Sequence, residues 1–440
     1  MAMPDFLRRI GALCLVATAT FAVHAAPQDD APRDPVAVAT QLLDHFDAGR
    51  FADAEALFTP QMAQAVPAAK LQAVWESLPK QAGPATGRGD AMVDAQGEVH
   101  LVVVPLHYAN AALVAKVAVQ ADGRIAGFLV QPAPPPPAAA PAADAGFTER
   151  AFEVAGLPGT LAMPDGASAA VPAVVLVHGS GPHDRDETIG PNRPFLDLAH
   201  GLAAEGIAVL RYEKRTRARP QDFAGGDFDL DDETTDDAVA AVAALREVEG
   251  IDPSRVYVLG HSQGGMLAPR IAARSGGVAG LVLFAAPARP LLDLLLEQNH
   301  YLVGLDGSID PAEQAHLERL QAQVDAVRGV ADVPIADSPM GLPAGYWRAF
   351  EAVDPVADAR ATTVPLLLLQ GGRDIQVVEA DWQRWQDAFA DDPRATLRHY
   401  PALNHLGIAG EGPGNIAEYQ QPGHVDAQLI AEVAAWIHAH

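Results

Sequence analysis

The sequence predicts an α/β protein: a mostly parallel, doubly wound sheet with a helical cap over residues 146–440, preceded by a small α+β domain over residues 33–130. Three observations lead there. After residue 146, short apolar runs alternate with helical patterns, the signature of strands joined by crossover helices. Before residue 130, helical spacing comes first and alternating strands follow. Between them Gln131 to Ala145 reads QPAPPPPAAAPAADA, and proline at this density favours an extended spacer over a packed element.

The first 25 residues read as an export signal. Arg8 and Arg9 supply the positive region, Ile10 to Val23 the apolar run, and Val23 and Ala25 the small or permissive positions before a cleavage site. That run falls short of the roughly 20 residues that span a bilayer, so no stable membrane insertion is expected after cleavage. Cys14, the only cysteine of the chain, lies inside the signal, and Leu13 before it is too bulky for a lipoprotein site. A mature chain without thiols has no disulfide, cysteine nucleophile or thiolate metal site. The expected location is periplasmic or secreted.

In the small domain, Val36, Leu42, Leu43 and Phe46, then Phe51, Ala54, Leu57 and Phe58, recur at three- and four-residue spacing. Leu71 to Leu78 gives a further helix. Val99–His107, Ala111–Val119 and Arg124–Val130 read as strands joined by turns at Ala109-Asn110 and Asp122-Gly123. His100 and His107 lie within a strand and have no catalytic spacing.

In the larger part, Val171–His178, Ile207–Tyr212, Val256–Gly260, Gly280–Phe284 and Val364–Leu369 are near-continuous apolar runs, as strands covered on both faces require. Asp236–Val248 is a helix with Val239, Val242 and Leu245 on one face, Thr234 and Asp237 as a capping pair, and Gly250 and Pro253 as its stop. Residues 287–355 break the alternation with helices at Leu291–Gln298 and Pro311–Val327. An insertion there would lie above the carboxyl ends of the strands, where such sheets bind ligands, and is read as a cap.

A formal net charge of −26 argues against nucleic acid, since a backbone-binding surface needs clustered Lys and Arg. The apolar share of 49% is ordinary for a globular protein.

Gly260-His261-Ser262-Gln263-Gly264 follows a strand and opens a helix, and Gly265 adds a third small residue. In that context G-x-S-x-G is a tight turn that holds a serine hydroxyl above the sheet. A serine needs a base. His405, on the loop after the strand candidate Leu397–Tyr400, is the expected one; His399 lies within the strand, and His424, His438 and His440 lie near the final helix. Asp374, directly after the strand Val364–Leu369, is the expected carboxylate, with Asp354 and Asp381 less well placed. Backbone N–H groups of Gln263 and of Gly179 or Ser180 are the expected oxyanion donors. His178 and His183 lack zinc-type spacing and a third ligand, so no metal or other cofactor is expected.

The stretches VLVHGSGPHDRDETIGPNRPF, VLRYEKRT, VLGHSQGG, LLLLQGGRD and LNH resemble exported bacterial carboxylesterases of the α/β-hydrolase fold, related to dienelactone hydrolases and acyl-peptidases. The resemblance covers residues 147–440, with His183 a departure from its usual pattern. It implies cofactor-free hydrolysis of a small-molecule ester through an acyl-enzyme. Arg185, Asp186 and Lys214 fall in the matched stretches, and two roles stand open for them: bracing the loop after His178 or touching substrate. Residues 33–130 resemble a nuclear-transport-factor-like module of unknown function, on the pattern and on LFTPQM and VWESL. The rivals are a peptidase or thioesterase on the same fold and a catalytically idle envelope-binding protein.

Overall fold

The computed structural model describes residues 34–96, 99–133, 140–305, 307–329 and 333–440. The expected export signal, with Cys14, lies outside them. The chain divides into two compact units, 1–136 and 137–440, and the division falls inside the Pro/Ala stretch.

Among its described residues the first unit carries four helices, α1 (Pro35–Asp47), α2 (Phe51–Glu55), α3 (Pro60–Ala65) and α4 (Ala68–Ala82). Five strands follow: β1 (Ala85–Arg88), β2 (Met92–Gln96), β3 (Val99–Tyr108), β4 (Ala112–Gln120) and β5 (Ile125–Pro132). They form an antiparallel sheet in the order β1-β3-β4-β5, with β2 also paired to β3. Alternation puts Leu113, Ala115, Val117 and Val119 of β4 on one face, where they meet Leu42, Leu43 and Phe46 of α1. Strand β5 runs through Pro132, two residues into the stretch read as spacer. Strands β1 and β2 were not foreseen; ATGR and MVDAQ are short and lack a clear apolar alternation.

The second unit opens with the hairpin β6 (Phe147–Val154) and β7 (Leu157–Pro164), continues with β8 (Val171–Val177), α5 (Pro194–Ala204), β9 (Ala208–Tyr212) and α6 (Arg215–Ala218), and then α7 (Asp236–Arg246) and β10 (Ile251–His261). After these come α8 (Gln263–Arg274), β11 (Leu281–Phe284), α9 (Leu291–Val303), α10 (Pro311–Gly329), α11 (Ala344–Glu351), α12 (Pro355–Ala361), β12 (Leu366–Gly371), α13 (Glu379–Phe389), β13 (Ala395–Tyr400) and α14 (Ala427–Ala439). The sheet order is β13-β12-β11-β10-β8-β9-β7-β6. Six strands, β9 to β13 with β8, are parallel, and the β6–β7 hairpin joins antiparallel through β7 and β9.

Both faces of this sheet are covered. On β10, Val256 and Val258 belong to one core, Tyr257 and Leu259 to the other; β12 divides Leu366 and Leu368 from Leu367 and Leu369 in the same way. Helices α7, α8 and α13 close the first face, α5 and α14 the second. Two buried faces explain the near-continuous apolar strands.

The β6–β7 hairpin was missed because FTERAFEV is half polar and exposed along much of its length. Its signal is the turn: Ala155 and Gly156 both have positive φ, +48° and +76°, the pair of values a two-residue hairpin of this hand requires. The Thr234–Asp237 capping pair is not formed. A single π-helical turn, Asp231–Thr235, leads straight into α7, so the chain enters that helix already coiled and needs no side-chain cap. Asp237 instead pairs with Arg215.

Among the described residues, 287–355 hold three α-helices, α9, α10 and α11. Arg328 of α10 ties them together, bonding Asp293 of α9 at 2.8 Å and Glu351 of α11 at 2.6 Å.

Replacing Gly156 by Val puts a β-branched residue in left-handed backbone and is expected to lower the unfolding free energy of this unit by about 1–2 kcal/mol. Urea denaturation followed by tryptophan fluorescence measures it, and turnover at 25 °C should stay unchanged.

Candidate active site

The strand β10 delivers the chain to the turn 260–264 with almost no room. A Cβ on Gly260 would lie 2.2 Å from the Gly264 carbonyl oxygen, and one on Gly264 would lie 2.2 Å from that of Val177. A Cβ on Gly265 would meet Ala286 at 2.8 Å. No side chain fits at these three positions, which is why the motif needs glycine. The turn leaves Ser262 at φ 52°, ψ −120°, a conformation that L-residues rarely adopt. Ser262 is only partly buried, while His261 before it and Gln263 after it are enclosed.

Asp374 and His405 come together. Asp374 follows β12 and His405 lies in the loop after β13; His405 Nδ1 is 2.7 Å from Asp374 Oδ2. The carboxylate is saturated: Oδ2 also accepts from Gln370 Nε2, and Oδ1 accepts the N–H groups of Gln376 and Val377 at 2.8 and 3.0 Å. Asn404 shapes the histidine loop, its Oδ1 accepting the N–H groups of Leu406 and Ile408. His405 is joined to the turn through its backbone, because its carbonyl oxygen accepts from His261 Nε2 at 2.9 Å, and the two rings are 4.7 Å apart. No hydrogen bond joins the Ser262 hydroxyl to the His405 ring in this conformation. In hydrolases that contact commonly tightens only when substrate arrives.

The competing residues are engaged elsewhere. His399 stacks on Trp382 on the sheet edge, His424 pairs with Asp197, and His438 and His440, at the end of α14, bond the backbone carbonyls of Glu205 and Trp436. Asp354 caps α12, and Asp381 is buried against Arg289. His178 and His183 each use Nε2 on a backbone carbonyl, of Asp184 and of Ser180. Burial pushes His178 down to about 3, so it is neutral at ordinary pH.

Of the expected oxyanion donors, one is corrected. The Gly179 N–H donates to Glu187 Oε1 at 2.7 Å and is therefore occupied. The Ser180 N–H has no acceptor among the described residues, and Gln263, as the first residue of α8, has no intrahelical acceptor for its N–H. Gln263 and Ser180 thus remain as the candidates with a free N–H. Gly179 is glycine for another reason: a Cβ there would stand 3.2 Å from that of Ser262.

A buried polar network brackets these donors. Lys214, 2% exposed, bonds the Gly179 carbonyl oxygen at 2.8 Å and Glu233 Oε1 at 2.7 Å. Glu233 Oε2 accepts from Gln263 Nε2 at 3.0 Å and from the Tyr346 hydroxyl of α11 at 2.7 Å. Ser180 Oγ donates to Gln263 Oε1 at 2.7 Å. Burial would raise Glu233, but the Lys214 ammonium together with the hydrogen bonds from Tyr346 and Gln263 outweighs it and holds the carboxylate below its usual range. Arg185 bonds Glu213 and Thr160, and Asp186 pairs with Arg211, so the three residues with two open roles brace the loop. Sequence reasoning missed Glu187, His261, Glu233 and Tyr346, whose contacts with one another, with His405 and with Gln263 span 30 to 144 residues and carry no local pattern.

Residues 169–411 match the family described as serine aminopeptidase, S33, and residues 39–128 match a family described as a protein of unknown function. Esterase EstD of Thermotoga maritima is 36% identical over 396 residues, which cover 89% of this chain and 93% of that protein. Among solved structures, Est1E from Butyrivibrio proteoclasticus is 16% identical at a TM-score of 0.42, covering 66% of this chain and 99% of that one. A structure described as a putative dienelactone hydrolase from Klebsiella pneumoniae is 16% identical at a TM-score of 0.38, covering 67% and 99%. Family membership follows from the sequence matches alone.

Lys214→Met would leave Glu233 buried without its cation, and the expected loss is about 3–5 kcal/mol of stability by urea denaturation. The Glu187–His261 pair gives a pH signature. Burial would raise Glu187, yet His261 holds it down at about 2 against an ordinary 4.5; burial would lower His261, yet Glu187 raises it above 6.5. The glutamate's contribution is complete above 4.5 and is lost as pH falls toward 2; the histidine's is complete below 6.5 and is lost as pH rises through its raised value. Thermal melts of wild type and Glu187→Gln should therefore differ most between pH 4.5 and 6.5, with the gap narrowing on both sides.

Proposed function

We propose that this chain, a member of the α/β-hydrolase family just described, hydrolyses carboxylic esters of small molecules, with Ser262 as nucleophile, His405 as base and Asp374 as the residue that orients the base. The observation that carries this reading is the buried 2.7 Å contact between Asp374 and His405, whose loop is tied by hydrogen bond to the residue preceding Ser262.

In the proposed mechanism Ser262 Oγ bonds to the ester carbonyl carbon while its proton passes to His405 Nε2. Asp374 accepts from Nδ1, which fixes the tautomer and stabilises the imidazolium. The N–H groups of Gln263 and Ser180 receive the oxyanion. His405 then returns the proton to the leaving alcohol, and water, activated by the same ring, releases the acid. The segment 287–355 acts as a cap, a role supported by the Tyr346 contact to Glu233. The export-signal pattern supports a periplasmic or secreted location.

Ester preference draws on the relative named an esterase; a peptidase reading draws on the description of the family model as a serine aminopeptidase. Comparing kcat/KM for 4-nitrophenyl acetate with that for an aminoacyl 4-nitroanilide separates them, and a higher value on the anilide would favour the peptidase. For either substrate, Ser262→Ala is expected to lower kcat by at least about 10⁴-fold with the melting temperature unchanged. Activity within tenfold of wild type would reject Ser262 as nucleophile.

A further inference from the structure

Glu187 is fully buried, yet neither the triad nor the oxyanion pair uses it. Its two oxygens reach in two directions. Oε1 accepts the Gly179 N–H at 2.7 Å, immediately before the donor Ser180, and Oε2 lies 2.9 Å from His261 Nδ1. The second contact is a charge contact whose alignment falls short of a linear hydrogen bond. The other nitrogen of His261, Nε2, is 2.9 Å from the backbone oxygen of His405.

These partners define the protonation of His261. A carbonyl oxygen only accepts, so Nε2 carries a proton. A carboxylate oxygen at 2.9 Å would repel a bare ring nitrogen, so Nδ1 carries one as well. His261 is therefore an imidazolium, enclosed at 2% exposure between the rings of Phe195 and Phe284. The ionisable groups facing it are Glu187 from the loop after β8, His405 from the loop after β13 and Asp374 from the end of β12. His178 and His183 in turn face Glu187.

We propose that Glu187 and His261 form a buried ion pair that positions the oxyanion loop and the base together, so that loss of the His261 proton sets the alkaline limit of turnover. One end of the pair fixes Gly179, and with it the neighbouring N–H of Ser180; the other end fixes the backbone of His405. Deprotonated at Nδ1, His261 would turn a lone pair toward the Glu187 carboxylate. The pair would then open, releasing either the Gly179 N–H or the His405 carbonyl. Both residues are positioning residues, since neither touches substrate. The inference rests on the roles proposed for Ser262 and His405.

Two substitutions in the full chain test it. Glu187→Gln keeps an acceptor for the Gly179 N–H and offers an amide donor to a neutral His261, so the geometry survives without charge. Glu187→Ala removes both. Each protein is first labelled with a fluorophosphonate, which counts competent Ser262 and tests the nucleophile assignment separately: failure of the wild type to label would overturn that assignment, not this one. Per labelled site, Glu187→Ala is expected to lose about 100-fold in kcat, the usual cost of misplacing reacting groups by about 1 Å, with KM changed less than about threefold. Wild type is expected to show an alkaline fall in kcat, and Glu187→Gln to keep kcat within about fivefold of wild type at pH 7 and to lose that fall. A Glu187→Ala protein with kcat within threefold of wild type would overturn the proposal. So would a Glu187→Gln profile with the wild-type alkaline limb, and that profile alone decides if the alanine protein does not fold.

Discussion

The close crossing of the turn after β10 over the end of β8 is the constraint on which the rest of this site depends. With 2.2 Å from a Gly264 Cβ position to the Val177 carbonyl, and the same from Gly260 to Gly264, the backbones are in contact and cannot separate without breaking the sheet. Ser262 is thereby held at φ 52° with its neighbours buried on both sides. The same contact brings the loop after β8 against the turn, where a Cβ on Gly179 would stand 3.2 Å from that of Ser262 and the Ser180 hydroxyl bonds the Gln263 side chain. Strain of this kind persists only where the surroundings over-determine it, and here two strands and one helix do so.

Charge is buried around that crossing to an unusual degree. Lys214 with Glu233, and His261 with Glu187, are enclosed pairs whose remaining polar atoms bond backbone or amide groups of the site. Such pairs add little net stability, because the cost of removing two charges from water offsets most of their attraction. What they contribute is position. Lys214 and Glu187 grip Gly179 from its two sides, one at the carbonyl and one at the N–H. Through Tyr346, Glu233 also joins the helical insertion to the side chain of Gln263.

The parallel sheet was legible in the sequence because both faces of each strand are covered, which writes uninterrupted apolar runs such as Val171–Val177. The triad candidates were legible for a different reason: each comes within a few residues of the carboxyl end of a parallel strand, so order along the chain fixes their place at one end of the strands. The β6–β7 hairpin was hidden because β6 faces solvent over much of its length, leaving the Ala155-Gly156 turn as the sign. Glu187 and His261 were hidden because their meaning lies in partners from distant loops. Gly179 was read as a donor for its small size, a correct reason to find glycine there, but its N–H was already bound. The first unit, by contrast, was readable as helices followed by strands, yet its short edge strands β1 and β2 lack any pattern strong enough to announce them.

The central claim is that one serine, at position 262, forms the covalent intermediate. Reaction with diisopropyl fluorophosphate, followed by proteolysis and tandem mass spectrometry, tests it most directly. The account predicts a single phosphorylated residue, Ser262, at a stoichiometry near one per chain. A modification found instead on Ser180 or on any other serine, with Ser262 unmodified, would contradict it.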